Sequence, residues 1–297
     1  MIEMMIEQRR RVLGDGLEVG RVLPFAKRRM VGPFIFFDHL GPLDMAPGVP
    51  RSVDVRPHPH IGLSTVTYLF SGEIVHRDSL GSHVPIRPDE VNWMTAGSGI
   101  THSERFEKAR AQGDRLHGIQ AWVALPEAFE ETAPSFSHHE GADLPQWSDA
   151  GVHGTLIAGD AYGLSAGVRT HSPLFYAHLE MESGAVAEIP AGHAERALYI
   201  ATGAVELAGA HYGAGKMLVL SGAASHLRAA EPSTVMVLGG EPLGERHLYW
   251  NFVSSSKDRL AQAAADWKAG RMKLPDLDHD EFIPLPDEPA PPAPAFS

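Results

Sequence analysis

The chain contains no cysteine among its 297 residues. Disulfides, thiolate ligands, iron–sulfur clusters and cysteine nucleophiles are therefore excluded, and any bound metal must take histidine, carboxylate or water ligands. The lack of cysteine also favours a cytoplasmic location.

Long apolar runs are also absent, and no stretch approaches the roughly 20 apolar residues of a membrane-spanning helix. The first residues, MIEMMIEQRRR, lack the apolar core of a signal peptide. We therefore expect neither a membrane segment nor a signal peptide.

Basic charge is also scarce, because 25 Lys and Arg residues face 37 Asp and Glu residues, for a formal net charge of -12. Binding to nucleic acid normally requires a basic surface that neutralises phosphates. The basic clusters at residues 9–11 and 27–29 are better explained as solvated surface charges. Direct binding to nucleic acid is therefore not expected.

The pattern of apolar residues indicates an all-β protein. From Leu13 to about Leu248, short alternating runs are separated by glycine and proline, as in TVTYLFSGEIVHR, HGIQAWVALP and STVMVLGGEP. Such alternation is typical of half-buried strands joined by tight turns, and it predicts sandwiches or barrels. The polar, turn-rich residues 135–152 are interpreted as the boundary between two halves.

The C-terminal region has a different composition. Serines suited to capping a helix precede KDRLAQAAADWKAGRM. Four residues of this segment recur at helical spacing: Leu260, Ala264, Trp267 and Arg271. We expect a helix that docks on the body of the protein. Residues 284–297, PLPDEPAPPAPAFS, are too rich in proline to fold alone and are expected to form a disordered tail.

Two residue pairs are candidate metal ligands: His58 and His60 in RPHPHIGLSTVTYLF, and His102 and Glu104 in GITHSERF. Residues i and i+2 of a strand point to the same face. On facing strands of a barrel, the two pairs would bring three neutral nitrogens and one carboxylate together. Taken singly, either pair is more simply a surface or hydrogen-bonded pair. Taken together, the desolvation cost of unpaired buried histidines favours a metal site.

Six segments in order over about residues 9–272 carry a more specific signal: KRRMVGPFIFFDHLGP, HPHIGLSTVTYLFSGE, HRDSLGS, VNWMTAGSGITHSER, HGIQAWVALP and GGEPLGE. Together they resemble the pirin family of the cupin superfamily. A single His-x-His is weak by comparison, because a chain with 17 histidines contains about one by chance.

The resemblance implies a bicupin, in which two β-barrels of the jelly-roll type face each other and a short helix follows. The implied domains are an N-terminal metal-binding cupin barrel at residues 1–136 and a degenerate C-terminal cupin barrel with the helix at residues 137–283. The family pattern implies one mononuclear non-haem metal per chain in the N-terminal barrel. Its ligands would be His58, His60, His102 and Glu104. The family favours iron(II), although these ligand types also accept Mn, Ni, Co, Cu or Zn.

The chain departs from the family pattern just after the histidine pair. Many cupins and many pirins have a glutamate there, but this chain has Leu63 and Ser64. Neither residue can supply a carboxylate. Glu104 is therefore expected to act alone as carboxylate ligand and proton acceptor, which puts a family-typical rate in question rather than metal binding.

Further residues are candidates for lining a substrate pocket beside the metal. They are His76, Arg77, Trp93, Met94, Phe36 and Trp122. Aromatic walls with a few polar groups are typical of pockets for small molecules. The alternative for the apolar members is the core of the barrel.

The second half contains a weaker version of the same pattern. When AGHAERALYIATG is aligned with PHIGLSTVTYLFSG, and MLVLSGAASHLRA with WMTAGSGITHSER, His193 and His226 take the places of His60 and His102. Ala191 and Arg228 occupy the other two ligand positions. A cation in place of the carboxylate argues against a second metal.

The activity that the resemblance implies is that of a flavonol 2,3-dioxygenase acting on quercetin or a similar small aromatic substrate with O2. The substrate 3-hydroxyl would bind the metal and lose its proton to Glu104. The alternative is a metal-dependent regulatory or redox-sensing protein that binds another protein. A metal-stabilised scaffold without activity is a third hypothesis. Fold alone does not decide among them.

Overall fold

The computed structural model describes residues 2–13, 16–222 and 226–286. The first strands are β1 (Ile2–Glu7), β2 (Arg9–Leu13), β3 (Leu17–Leu23), β4 (Phe34–Met45), β5 (Val55–His60), β6 (Leu63–Ser71), β7 (Ile74–Asp78), β8 (His83–Ile86), β9 (Val91–Thr95), β10 (Ile100–Arg105), β11 (Asp114–Ala124) and β12 (Ser135–His139). The later strands are β13 (Gln146–Asp149), β14 (Val152–Ala161), β15 (Leu164–Ser165), β16 (Leu174–Met181), β17 (Val186–Glu188), β18 (Glu195–Thr202), β19 (Ala204–Leu207), β20 (Ala210–Gly213), β21 (Lys216–Leu220), β22 (His226–Ala229), β23 (Ser233–Gly240), β24 (His247–Tyr249) and β25 (Phe252–Ser254). The α-helices are α1 (Glu107–Gln112) and α2 (Lys257–Lys268).

The described residues form two compact units. One consists of Arg10–Val19, Leu40–His138 and the chain from Leu243 onward, and we call it the histidine unit because it contains His58, His60 and His102. The other consists of the residues up to Arg9, Gly20–His39 and His139–Pro242, and we call it the apolar unit.

Each unit is built from three separate segments of the chain, whereas the sequence predicted a single boundary between residues 136 and 137. The first strand joins the apolar unit because β1 pairs with β21. The chain after Leu243 joins the histidine unit because Trp267 and Leu285 pack in a cluster with Ile61. We keep residues 1–136 and 137–283 as a proposal for the extents of the two cupin domains.

In the histidine unit, two antiparallel sheets enclose the candidate site. One has the strand order β5-β10-β7-β8, and the other has the order β12-β9-β6-β11-β4-β3-β2. Of β3 and β4, only residues 17–19 and 40–45 belong to the histidine unit. Contacts from β11 to both β5 and β10 show that the site lies between the sheets. The alternating runs found in the sequence form these strands, which confirms the all-β prediction.

In the apolar unit, a sheet with the order β1-β21-β18-β23-β16-β14-β13 and a second sheet with the order β17-β22-β19-β20 share one core. This core takes alternate residues of β16, from Phe175 to Met181, and the buried residues Leu227 and Ala229 of β22. Because both sheets contribute, the apolar cluster fills the space between them. Burial of such surface stabilises a fold by about 25 cal/mol per Å².

The C-terminal helix is confirmed. The Ser256 side chain accepts a hydrogen bond from the backbone N of Arg259, which caps the first turn of α2. Leu260 and Trp267 are buried, and the helix ends at Lys268, before Arg271 of the predicted spacing. The chain then runs without a helix or strand to residue 286, and residues 287–297 of the predicted tail lie outside the described residues. Within the described residues, neither helix is long and apolar enough to cross a membrane.

Candidate metal centre

Three histidines converge from two neighbouring strands. His102 of β10 lies directly opposite His58 of β5, and Ile100 lies opposite His60. All three histidines are buried, and each offers a ring nitrogen within 4.8 Å of the others. The i, i+2 spacing therefore places His58 and His60 on one face, as the sequence analysis expected.

Backbone carbonyls set the tautomers of two of these rings. The Nδ1 atom of His58 lies 2.8 Å from the carbonyl oxygen of Arg56, and that of His60 lies 3.2 Å from the carbonyl oxygen of Asn251. A carbonyl oxygen only accepts hydrogen bonds, so Nδ1 donates in each ring. The Nε2 atoms then keep their lone pairs, which is the usual arrangement for a metal-binding histidine.

The spacing of the ring nitrogens fits a metal ion. The Nε2 atoms of His60 and His102 lie 3.1 Å apart. Two ligands at right angles on a metal, with bonds of about 2.1 Å, lie about 3.0 Å apart. A set of three imidazole nitrogens suits a divalent transition metal, so the residues present fit the group that the sequence analysis expected.

Burial keeps the three imidazoles neutral. It lowers the pKa of His58 to about 4, with a smaller contribution from the charge of His76. Burial also lowers the pKa of His60 and His102 well below the ordinary value, and the neighbouring histidines lower both further. At neutral pH all three therefore offer lone pairs, the form in which histidine binds metals.

Glu104 lies on the same strand but outside the group of three. The pairing of β10 with β5 shifts between His102 and Glu104, as in a β-bulge. Glu104 is buried, and its Oε1 atom accepts a hydrogen bond of 2.9 Å from Nε2 of Gln120. Burial raises the pKa of Glu104 to about 7, while the hydrogen bond from Gln120 acts to lower it. Its role as a fourth ligand stays a prediction.

His76 lies close beside the histidine group. Its Nδ1 atom is 3.3 Å from Nδ1 of His102, and its Nε2 atom is 3.0 Å from a carboxylate oxygen of Asp78. The ring of Phe136 stacks on the imidazole at a centroid distance of 4.3 Å. Of the candidate pocket residues, His76 is therefore in direct contact with the site.

Trp122 and Met94 share the sheet face that looks toward the site. The ring of Trp122 meets that of His60 edge to face at 5.1 Å. Met94 and Trp122 both lie opposite Thr65 of β6, so their side chains point to the same face. We call this the site face of the sheet.

Trp93 points the other way. It lies opposite Val66 of β6, one residue out of phase with Met94, and successive side chains of a strand alternate between faces. The Nε1 atom of Trp93 is buried and has no hydrogen-bond partner among the described residues. Trp93 is therefore part of the packing on the opposite face of the sheet.

Arg77 and Phe36 contact charged residues other than the three histidines. Arg77 alternates with His76 on β7 and forms ion pairs with Asp278 and Glu107. Phe36 belongs to the apolar unit, where the guanidinium of Arg21 lies over its ring at 4.4 Å. Direct contact between these residues and a substrate beside the histidines stays a prediction.

Ser64, which replaces the glutamate of the family pattern, lies on the side of β6 that faces away from the histidines. The hydroxyl of Ser64 is buried and forms a hydrogen bond of 3.0 Å with the hydroxyl of Thr95. Ser64 is one residue out of phase with Thr65, so it lies on the face opposite the site face. A side chain at this position does not point to the histidines.

The aligned positions of the second half are arranged differently. On β22, His226 and Arg228 are exposed, whereas Leu227 and Ala229 point into the apolar core. Arg228 donates to the carbonyl oxygen of Gly184. His193 stacks on Phe175 at 5.1 Å. His226 therefore faces outward, although it aligns with the inward-facing His102.

Gln120, Asp78 and the carbonyl of Asn251 are partners of the site that we did not predict from the sequence. Gln120 carried a signal, because it is a polar residue in the apolar run HGIQAWVALP. Asn251 carried none, because its contact with His60 spans 191 positions of the chain.

The chain matches known proteins over nearly its whole length. Residues 16–123 match the Pirin family, and residues 176–273 match the Pirin C-terminal cupin domain. A pirin-like protein of Caulobacter vibrioides is 61% identical over 97% of this chain and 100% of its own length. A structure of quercetin 2,3-dioxygenase from Acinetobacter baumannii has a TM-score of 0.87 at 32% identity, covering 96% of each chain. A bacterial pirin from Escherichia coli in complex with nickel(II) has a TM-score of 0.59 at 20% identity, covering 82% of this chain and 100% of its own, and indicates the shared fold.

Proposed function

The chain belongs to the pirin family of the cupin superfamily, and from this premise we propose that it is a mononuclear non-haem metal protein with flavonol 2,3-dioxygenase activity. The observation that carries the proposal is the buried group of three neutral histidines with Glu104 two residues away on the same strand. The likeness to the Acinetobacter quercetin 2,3-dioxygenase, at 32% identity, supports the reaction class.

The histidine group would hold one divalent transition metal, which we propose to be iron(II). When bound, such a metal supplies Lewis acidity toward a hydroxyl and a redox-active centre for dioxygen. The carbonyls of Arg56 and Asn251 orient His58 and His60 so that both lone pairs point into the same space. These outer hydrogen bonds also raise the basicity of the ligands.

Glu104 would accept the proton of the substrate 3-hydroxyl. A base works best when its pKa lies near the working pH, and burial gives Glu104 a pKa of about 7. Gln120 donates to Oε1 of Glu104 and so fixes one carboxylate oxygen. The other oxygen is then the one available to take the proton.

The walls of the site suit a planar aromatic substrate. Trp122 supplies an aromatic face beside His60, and Met94 an adaptable apolar surface on the site face. Because the ligands are buried, bulk water is excluded from the reacting groups. We also propose that the second substrate is O2 and that the protein is located in the cytoplasm.

The test is turnover of quercetin by protein loaded with iron(II) without oxygen. Exposure to O2 should give oxygen uptake and carbon monoxide release in equal amounts. The matched substrate control is a flavone that lacks only the 3-hydroxyl, which should give neither because there is no 3-hydroxyl proton for Glu104 to remove.

Metal content is measured on the same samples. Bound metal with neither oxygen uptake nor carbon monoxide release would contradict the dioxygenase proposal and favour the regulatory alternative, in which the metal state alters binding to another protein. Failure to bind any divalent transition metal would contradict the metal centre itself.

A further inference from the structure

The segment after α2 lies against the outside of the strands that carry the site. We call residues 271–286 the C-terminal strap. The backbone N of Ile283 donates to the carbonyl oxygen of Pro57 on β5 at 2.8 Å. The hydroxyl of Thr101 on β10 donates to the carbonyl oxygen of Lys273 at 2.5 Å. The strap therefore contacts both histidine-bearing strands.

The strap contacts the opposite face of β10 from the candidate ligands. His102 and Glu104 point to the interior, whereas Thr101, Ser103 and Arg105 alternate with them. All three alternate residues are bonded to the strap. One face of β10 thus presents the site while the other face is held by the strap.

Asp278 is the centre of this contact. Its carboxylate accepts hydrogen bonds from Oγ of Ser103 at 2.5 Å and from Nε of Arg105 at 3.0 Å. Its other oxygen lies 3.0 Å from Nη1 of Arg77, which is opposite Ser103 on β7. One buried carboxylate therefore joins two neighbouring strands of the site sheet.

The position of this contact matters because β10 is irregular there. The pairing with β5 shifts between His102 and Glu104, and Ser103 is the residue between them. A bulge interrupts the ladder of backbone hydrogen bonds, so the local direction of the strand needs other support. The bond from Ser103 to Asp278 supplies that support from outside the barrel.

We propose that Asp278 is a positioning residue for the metal centre, fixing through Ser103 and Arg105 the bulged part of β10 that presents His102 and Glu104. This inference rests on the proposed metal centre. Asp278 does not touch the centre, and its effect passes through the backbone of β10. Partners that hydrogen-bond a ligand directly typically contribute about 10 to 100-fold to metal affinity, so we expect the indirect effect of Asp278 to lie near the lower end of that range.

The ionisation state of Asp278 supports the role. Burial acts to raise its pKa, but the hydrogen bonds from Ser103 and Arg105, with the charges of Arg105 and Arg77, hold the pKa below the ordinary value of 3.8. The carboxylate is thus charged at neutral pH. Charge-assisted hydrogen bonds are about twice as strong as neutral ones, which suits a fixed anchor.

The test compares Co(II) binding by the metal-free full chain and its Asp278→Asn variant at neutral pH. The substitution keeps the shape of the side chain but removes the charge. We expect the dissociation constant for Co(II) to rise about tenfold. We also expect the visible absorption spectrum at saturating Co(II) to change, because the spectrum reports the ligand geometry and a merely stabilising role would leave it alone.

The strap offers a matched control. Asp276→Asn makes the same chemical change two residues before Asp278. Asp276 forms an ion pair with Lys273, and both of these side chains are exposed. Its dissociation constant and Co(II) spectrum should stay at the parental values. Circular dichroism and gel filtration establish that each variant is folded.

Ser103→Ala is the second variant, and it decides the matter if Asp278→Asn fails to fold. It removes only the hydroxyl bonded to Asp278, and it should weaken Co(II) binding and alter the spectrum in the same direction. Parental affinity and spectrum in whichever of the two variants folds would overturn the proposal.

The outcomes separate this inference from the proposed function. If the parent chain binds Co(II) but shows no oxygen uptake with iron, the dioxygenase proposal fails while the role of Asp278 is still decided by the variants. If the parent binds no Co(II), the metal centre and the positioning role fail together.

Discussion

The two units enclose their interiors with similar pairs of antiparallel sheets, but they fill them with different side chains. In the histidine unit, β10 turns His102 and Glu104 inward. In the apolar unit, β22 turns Leu227 and Ala229 inward and leaves His226 outside. A shift of one residue in the alternation reverses which side chains face the interior.

This difference in inward-facing side chains allows the histidine unit to provide the chemistry while the apolar unit contributes packing. A buried polar group costs free energy unless it is hydrogen-bonded or bound to a metal. The histidine unit accepts that cost at His58, His60 and His102, whereas the core of the apolar unit consists of aliphatic and aromatic side chains.

The largest expected difference between the units is in metal content. His102→Ala removes one of three imidazole ligands and should lower bound metal more than about tenfold. His226→Ala, at the aligned position of the apolar unit, should leave metal content at the parental level because His226 points outward. Elemental analysis of both purified variants checks the pair, and full occupancy in His102→Ala would end the assignment.

The next effect concerns the carboxylate. Glu104→Gln keeps the size of the side chain but removes the base, so oxygen uptake with quercetin per bound metal should fall about 100-fold. Metal content should fall less. Arg228→Gln, the aligned position in the apolar unit, is the control and should match the parent. A parental rate in Glu104→Gln would show that Glu104 is not the proton acceptor.

A smaller effect is expected on the acid stability of the metal-free protein. Burial lowers the pKa of His58 to about 4, so between about pH 6.5 and 4 the unfolded chain binds more protons than the folded one at this residue. Its contribution to stability is therefore lost as the pH falls, by up to about 1.4 kcal/mol per pH unit. Urea unfolding at pH 7 and pH 5 measures the loss.

A neutral replacement should flatten this dependence. His58→Gln should show a smaller loss of stability between pH 7 and pH 5 than the parent. His226→Gln should behave as the parent does, because the His226 side chain is exposed on β22 and lies outside the histidine group. Equal slopes in all three proteins would contradict the idea that the imidazole of His58 is held neutral by burial.

The smallest effect is expected at Ser64, which lies where many pirins have a glutamate. Ser64→Ala removes the hydrogen bond to Thr95 and should lower stability by about 1 kcal/mol. Metal content and oxygen uptake should not change, because Ser64 faces away from the site. A loss of metal in Ser64→Ala would show that this position supports the centre after all.

Local sequence patterns predicted those features that depend on local geometry. The alternation of apolar residues predicted the strands, and the i, i+2 spacing predicted that His58 and His60 share a face. The helix cap at Ser256 was also visible as a run of serines before a helical pattern. The family resemblance then added the bicupin fold, which periodicity alone could not distinguish from other barrels.

Features set by pairing between distant strands could not be predicted. Trp93 and Met94 are neighbours in the same motif, yet only the register with β6 shows that Met94 alone points to the site face. Phe36 belongs to the apolar unit although it lies in the first 40 residues. The contact between Ser103 and Asp278 spans 175 positions, so no local pattern could indicate it.

The stoichiometry of metal binding shows whether the histidine unit holds the only metal centre of the chain. Elemental analysis of the parent and of a double variant, His193→Gln with His226→Gln, counts the metal ions per chain. We expect one ion per chain in both proteins, held by the three histidines of the histidine unit. A parent with two ions per chain, falling to one in the double variant, would instead place a second metal centre in the apolar unit.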